Sequence, residues 1–418
     1  MHSARLLVAP MLALVLGLLA QAQEQVAAPT ALPEAFTLDR VTSLTLANNP
    51  ALRQAQARVQ QAQGLAIQAG LYPNPQQNSG NPNQLGGGNS LYSAGITQEI
   101  VRANKIGLNQ GAAEQAARQA ALDYVRERFE VLTAVRQQFY TLLATQRRLE
   151  VLREILKVTQ RSVEVSTRLR DAEQVGEVDV LLLRMESNRI QVALRTAEYA
   201  RTASARQLAA QIGLPNLVID RAEGSLFMPL PDFENPQELQ FLLSRSSLVE
   251  SARTDIVRTQ ILLQRAEVEP IPNLIMNGGY QWTVNQPHSQ ALVGMYFTIP
   301  IWDRNQGNIR AASANVQNSV AQLSKVQNDL IRSLAEAIGR YRAATRSVEI
   351  YEKSILPDAK ESLALGERSL AAGQLDLLRL FQTQRMVFES NLDYITALQE
   401  RLVSAAAIAG ILQLEQFP

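Results

Sequence analysis

Two aspartates, Asp179 and Asp376, are the residues whose placement points to chemistry. Each lies three residues after a glycine, Gly176 or Gly373, and both the glycines and the aspartates are 197 residues apart (373 − 176; 376 − 179). A longer stretch recurs around them: VGEVDVLLLRMESNR from Val175 to Arg189, and AGQLDLLRLFQTQR from Ala372 to Arg385. An apolar–acidic–apolar tip of this kind suits a docking surface, and in an oligomer its aspartates form rings of negative charge that select or gate ions. The docking candidates are Gly176, Glu177, Val178, Asp179, Val180 and Leu181 in the first copy. In the second they are Gly373, Gln374, Leu375, Asp376, Leu377 and Leu378. Both glycines fit as residues with positive φ that stop a helix, and both aspartates fit the first turn of the next one, where the macrodipole favours negative charge.

Other site chemistry is missing from the residues. The two histidines are His2 and His288, far apart, and there is no cysteine. No His/Cys cluster for a transition metal can be assembled, and no disulfide can form. Gly86-Gly87-Gly88 lacks the Lys-Ser/Thr that a phosphate-binding loop needs. Arg147 and Arg148 alternate with acids and read as a solvated helix face. With 40 basic and 39 acidic residues, the chain has no general attraction for nucleic acid. The expectation is a protein with no cofactor and no enzymatic reaction.

The elements that hold the tips are long helices. A recurring stretch at fixed offset marks a duplicated chain, here two half-repeats, residues 37–213 and 237–418, joined by an irregular segment, 214–236. Gly213 and Gly410 obey the same offset. Residues 1–22 read as a signal peptide: Arg5, an apolar run from Leu6 to Ala20, then Ala20-Gln21-Ala22 as a cleavage site. Residues 23–36 read as disordered. After the signal, no segment is apolar and long enough for a membrane helix, so a membrane crossing would need strands.

Thr37 or Asp39 caps a first helix that runs to about Gly70 and is interrupted at Pro50. A β-hairpin follows at about 71–101, with Ser90–Val101 as its clearer strand. In the second half-repeat a helix runs from about Gln237 to Glu269, and a hairpin at about 271–301 pairs Leu274–Val284 with Ala291–Ile301. Strands of about eleven residues suit a tilted membrane span. Tyr280, Trp282, Tyr296, Phe297 and Trp302 gather there as an aromatic girdle; a soluble hairpin with core aromatics fits the same residues. After each hairpin a long helix begins, from about Ala103 to Arg170 and from about Asn305 to Ala371, the second kinked at Pro357. Apolar residues three or four apart give both a coiled-coil seam, and ~65 residues at 1.5 Å make about 100 Å of helix. Return helices close hairpins whose tips lie at 173–180 and 371–378.

The chain resembles the TolC-like outer membrane factors, the exit ducts of tripartite efflux and secretion systems. The resemblance rests on Thr37–Val59, on LYPNP (Leu71–Pro75), on YFTIPIWDRNQGNIRAA (Tyr296–Ala312) and on both tips. It implies a mainly α fold with a transmembrane β part: long helical hairpins in a tunnel, and four strands per chain in a twelve-stranded barrel of a homotrimer. It further implies a place in the outer membrane, in contact with its lipid and reaching into the periplasm. A periplasmic adaptor would dock on the tips above an inner membrane pump, and conduction would be passive. The family often has acidic residues six and nine after the second tip glycine; here these are Arg379 and Gln382, so Asp376, Arg379 and Gln382 are the candidate gate. Gly-Glu-Val-Asp at the first tip is most similar to the heavy-metal-exporting branch. The alternatives are a soluble periplasmic coiled-coil adaptor and a periplasmic enzyme. The cargo, whether metal ion, drug or protein, is not legible.

Overall fold

The computed structural model describes residues 36–80, 91–231, 233, 235–283, 289–371, 377–415 and 417. The signal peptide, nearly all of the 23–36 segment, the 86–88 glycine cluster, the turn at 285–288 and the second tip from Gly373 through Asp376 lie outside the described residues.

The element order repeats. Helices α1 (Leu38–Asn48) and α2 (Pro50–Ala69) precede strands β1 (Gln76–Gly80) and β2 (Leu91–Ile100), then the long helix α3 (Lys105–Asp171) and its return α4 (Glu177–Ile212). The second round has α5 (Pro236–Ser244) and α6 (Ser247–Glu267), strands β3 (Leu274–Thr283) and β4 (Ser289–Tyr296), and α7 (Gln306–Ile350). A π-helical turn (Tyr351–Ile355), α8 (Leu356–Ala371) and the return helix α9 (Leu377–Ile411) complete it. Asn104 and Asn305 stand at the entrance of the two long helices with φ 55° and 60°, a left-handed conformation that asparagine tolerates better than most residues.

Four boundaries differ from expectation. The helix expected over 237–269 is two helices, because Ser246 caps the second by accepting from the Leu248 N–H at 3.4 Å. Ser246 stands where Asn49 stands in the first round (246 − 49 = 197), so the break is duplicated although only the first copy marks it with proline. Strand β4 ends at Tyr296, not Ile301: Pro300 has no N–H to give a ladder, and Ile301 N–H turns back to Ile299 O. Pro357 follows a π turn inside an otherwise helical run, in place of a simple kink. Gly176 is the N-cap of α4 with φ −73°, not a helix stop. The stop after α3 is Glu173, at φ 59°, with Gln174 N–H bonded to Leu169 O and Glu173 N–H to Arg170 O, the pattern of a Schellman cap.

The chain packs as two compact units, each drawn from both halves of the sequence. One comprises the chain through Asn49, Ala134–Met228 and Ala343–Val403; the other comprises Pro50–Thr133, Pro229–Arg342 and Ser404–Pro418. In the first, Leu149, Leu152, Ile155, Ile190 and Ala197 form an apolar seam between α3 and α4, flanked by Phe388 and Leu392 of α9. The irregular 214–228 stretch is pinned to α3: Gln146 donates to Ala222 O (3.1 Å) and accepts from Ala222 N–H (2.9 Å), which satisfies a backbone outside regular structure. In the second unit, Phe233, Val249, Leu330, Leu334 and Ile408 belong to the core.

The duplicated glycines have diverged. Gly213 ends α4 at φ 93°, a conformation that glycine adopts without strain. Gly410 lies inside α9, and a Cβ there would collide with the Thr133 side chain of α3. Replacing Gly410 by Val should therefore cost about 1–3 kcal/mol through overpacking. Gly339→Ala, where nothing lies within 4 Å of the added Cβ, should be neutral or gain up to about 1 kcal/mol of helix propensity. Thermal melts of the detergent-purified protein check both, and equal midpoints for the two variants contradict the close-packing account.

Candidate functional site

Two regions carry the predicted site residues, one in each unit. The first is the sheet. Its order is β1-β2-β3-β4, antiparallel throughout. The register pairs Tyr92 with Trp282, Ala94 with Tyr280, Ile96 with Gly278 and Gln98 with Met276, then Met276 with Met295, Gly278 with Val293 and Tyr280 with Ala291. Because side chains alternate across a strand, all of these share one face. The opposite face carries Ser93, Thr97 and Glu99 of β2, Asn277 and Gln281 of β3, and Gln290 of β4. The first face is thus mainly apolar, with Gln98 and Ser289 its polar members, while on the second the polar residues predominate beside Leu91, Ile275, Leu292 and Tyr296.

The apolar side is open: Val293 is 86% exposed, Met295 63%, Ile96 58% and Met276 42%. Aromatics stand at both ends of the sheet. Tyr92 and Tyr280 stack on Trp282 at 5.9 and 6.3 Å on the apolar side, while Tyr296, on the opposite face, and Phe297 and Trp302, beyond β4, are exposed at the end nearer α7. Of the expected girdle, Tyr280, Trp282 and Tyr296 therefore lie on strands, and Phe297 and Trp302 lie beyond β4. An apolar band between aromatic ends is the outer surface of a membrane strand set, and the ten residues of β3 are enough for a tilted span. Strand β1 is polar, with Gln76, Asn78 and Gly80 facing the polar side and Asn78 donating to Thr97 Oγ1 at 2.6 Å.

The second region is the first tip. Asp179 Oδ2 accepts from Gly176 N–H at 3.2 Å, half of a capping box that fixes the start of α4. Val178 (68%) and Leu181 (48%) are exposed, whereas Val180 is buried, so the docking candidates divide: Val178 and Leu181 face outward and Val180 belongs to the core. Asp179 and Gln382 line one cavity of about 230 Å³ between α4 and α9, walled by Leu183, Ile190, Phe381 and Phe388. A residue of the first tip and a residue of the candidate gate are thereby brought together. Arg379 is exposed, and Leu377 and Leu378 open α9.

One surface escaped the sequence analysis. Val178, Met185, Val192 and Tyr199, each seven residues from the next on α4, are 68, 67, 67 and 77% exposed. Their heptad spacing was the available signal.

Among the described residues no group of His, Cys, Asp or Glu is placed to hold a metal ion, and no helix is long and apolar enough to cross a membrane. The sequence profile of the outer membrane efflux protein family matches residues 240–412. The cobalt-zinc-cadmium resistance protein CzcC of Cupriavidus metallidurans is 24% identical over 378 residues, 90% of this chain and 90% of that protein. The outer-membrane channel OprN superposes with a TM-score of 0.78 at 17% identity, covering 92% of this chain and 94% of that one. The open state of the Neisseria gonorrhoeae MtrE outer membrane channel superposes with a TM-score of 0.77 at 16% identity, covering 90% and 88%.

The chain therefore resembles the TolC-like outer membrane factors in sequence and in fold. The matched family and the superposed structures are outer membrane channels, not enzymes. The adaptor alternative is not favoured.

A single charge separates the two faces of the sheet. Val293→Lys puts an amine on the apolar face and should destabilise the membrane-embedded form by about 2–4 kcal/mol, with a matching loss from the outer membrane fraction. Thr97→Lys, on the polar face, should be recovered at wild-type level. Equal recovery of both variants contradicts the assignment of faces.

Proposed function

We propose that the chain works as a homotrimer that exports metal cations, with the adaptor seated on the hairpin tips. The observation that carries the trimer is the sheet's two free edges. Four strands cannot close on themselves, and an open edge in hydrocarbon leaves backbone N–H and C=O groups unsatisfied. Three copies joined β4 to β1 supply twelve strands and abolish the edges. The exposed heptad on α4 supports the same reading, since an apolar repeat of seven seeks a partner helix.

Val178 and Leu181 are the docking residues of the first tip in this reading, with Glu177 and Asp179 setting the charge beside them; Gly373 through Leu378 serve at the second. Asp376, Arg379 and Gln382 form the constriction, where a basic residue stands in a position that is often acidic in the family. The metal-cation reading rests on the likeness to the cobalt-zinc-cadmium resistance protein and on the Gly-Glu-Val-Asp tip. Cargo selection belongs to the pump, because no metal-ligating cluster is found among the described residues.

The test combines export and conductance. Val178→Asp with Leu181→Asp should leave the trimer in the outer membrane but abolish cross-linking to the adaptor and resistance to cobalt and zinc. In planar bilayers, Arg379→Ala should change the conductance of the purified protein several-fold. Wild-type resistance in the double variant removes the docking assignment, and unchanged conductance removes Arg379 from the gate.

A further inference from the structure

The seam between α3, α4 and α9 is not packed along its whole length. At one end Ile190 meets Leu149, Leu152 and Ile155, and Phe388 and Leu392 of α9 pack against them. Beyond Ile190 and Phe388, toward the first tip, the same helices part around the cavity of about 230 Å³. Voids of this size in a packed interior are rare and costly. About 150 Å³ between apolar side chains is enough to hold a benzene.

The cavity has a definite shape. Leu183 and Ile190 form one wall on α4, and Phe381 and Phe388 form the other on α9. Each pair is seven residues apart, so it lies on one helix face and spans about 10 Å of axis. That spacing leaves room for a one- or two-ring aromatic system. Thr159 of α3 closes the back. It is 6% exposed, and its hydroxyl already donates to Ile155 O at 2.9 Å, so this wall offers a ligand no donor.

The polar part of the lining carries one charge in excess. Arg385 donates to Glu389 at 2.9 Å. Arg189 lies 3.7 Å from Glu186 and 3.9 Å from Glu389. These two arginines and two glutamates cancel. Asp179 lines the same cavity and accepts from Gly176 N–H, but no cation pairs with it among the described residues. An apolar slot with a few placed polar groups is the usual form of a small-molecule site. Here the placed group is a carboxylate, which selects an amine.

We propose that this cavity binds small aromatic amines of one or two rings, the ring held between Leu183, Phe381 and Phe388 and the ammonium on Asp179. The inference depends on neither the cargo nor the gate assignment, since every group it uses lies within the first compact unit.

Calorimetric titration of the full-length protein in detergent tests it, with empty micelles as the blank. The probes are 1-naphthylmethylamine, charged at pH 7, the neutral 1-naphthylmethanol and the anionic 1-naphthylacetate. Wild type should bind the amine saturably at one site per chain. It should bind the acetate at least about tenfold less tightly, because repulsion replaces attraction. Asp179→Asn keeps an oxygen for Gly176 N–H. It should weaken the amine about threefold to fivefold, the range of one partly exposed ion pair, and leave the alcohol unchanged. Leu183→Trp, which fills the slot, should abolish binding of all three probes. No saturable binding to wild type overturns the proposal. So do equal affinities for amine and acetate, an Asp179→Asn protein that binds the amine like wild type, or a folded Leu183→Trp protein that still binds it.

Discussion

A bilayer offers no water to a backbone, and the architecture of this chain follows from that constraint. Every N–H and C=O placed in hydrocarbon needs a partner from protein. The sheet satisfies three of its internal ladders from one chain, with β1 on β2, β2 on β3 and β3 on β4. Its outer edges, β1 and β4, have no further strand beside them among the described residues, and in the proposed homotrimer they pair with each other between copies. The alternation that sends Ile96, Met276 and Val293 to one face and Thr97, Asn277 and Gln281 to the other gives the same sheet one mainly apolar face and one on which polar residues predominate.

The helices answer a different demand. Their seams are narrow: α3 and α4 share Leu149, Leu152, Ile155 and Ile190, and their remaining faces are crossed by ion pairs of helical spacing, such as Arg147–Glu150 and Arg195–Glu198. Such exposed pairs contribute little stability, but they keep a long helix soluble where only part of its surface is covered. The apolar heptad of α4, Val178, Met185, Val192 and Tyr199, departs from that pattern.

Much of this was legible because the signals are periodic. Apolar residues three or four apart and strand alternation placed the long helices and β2 and β3 to within a few residues, and the offset of 197 exposed the duplication. What escaped was set by single groups. The break at Ser246 depends on a hydroxyl that caps a helix, with no proline to announce it. The end of β4 depends on the N–H that Pro300 lacks. Gly176 and Glu173 exchanged roles because a left-handed cap needs only a tolerable residue, and glutamate served. Gly410 keeps its identity for space against Thr133, not for φ. The function was read from the quoted family stretches; composition offered no catalytic or His/Cys cluster to argue from and did not distinguish a duct from an adaptor.

The most direct measurement is accessibility around the sheet. The chain has no cysteine, so each introduced thiol is a unique probe. Spin labels at positions 96, 276 and 293 should collide with oxygen dissolved in lipid and be shielded from a water-soluble nickel chelate. Labels at 97, 277 and 281 should show the reverse. That alternation, in outer membrane vesicles or liposomes, is what a membrane strand set of this register produces. Uniform access of the chelate to all six positions would contradict it, and with it the claim that this sheet spans the outer membrane.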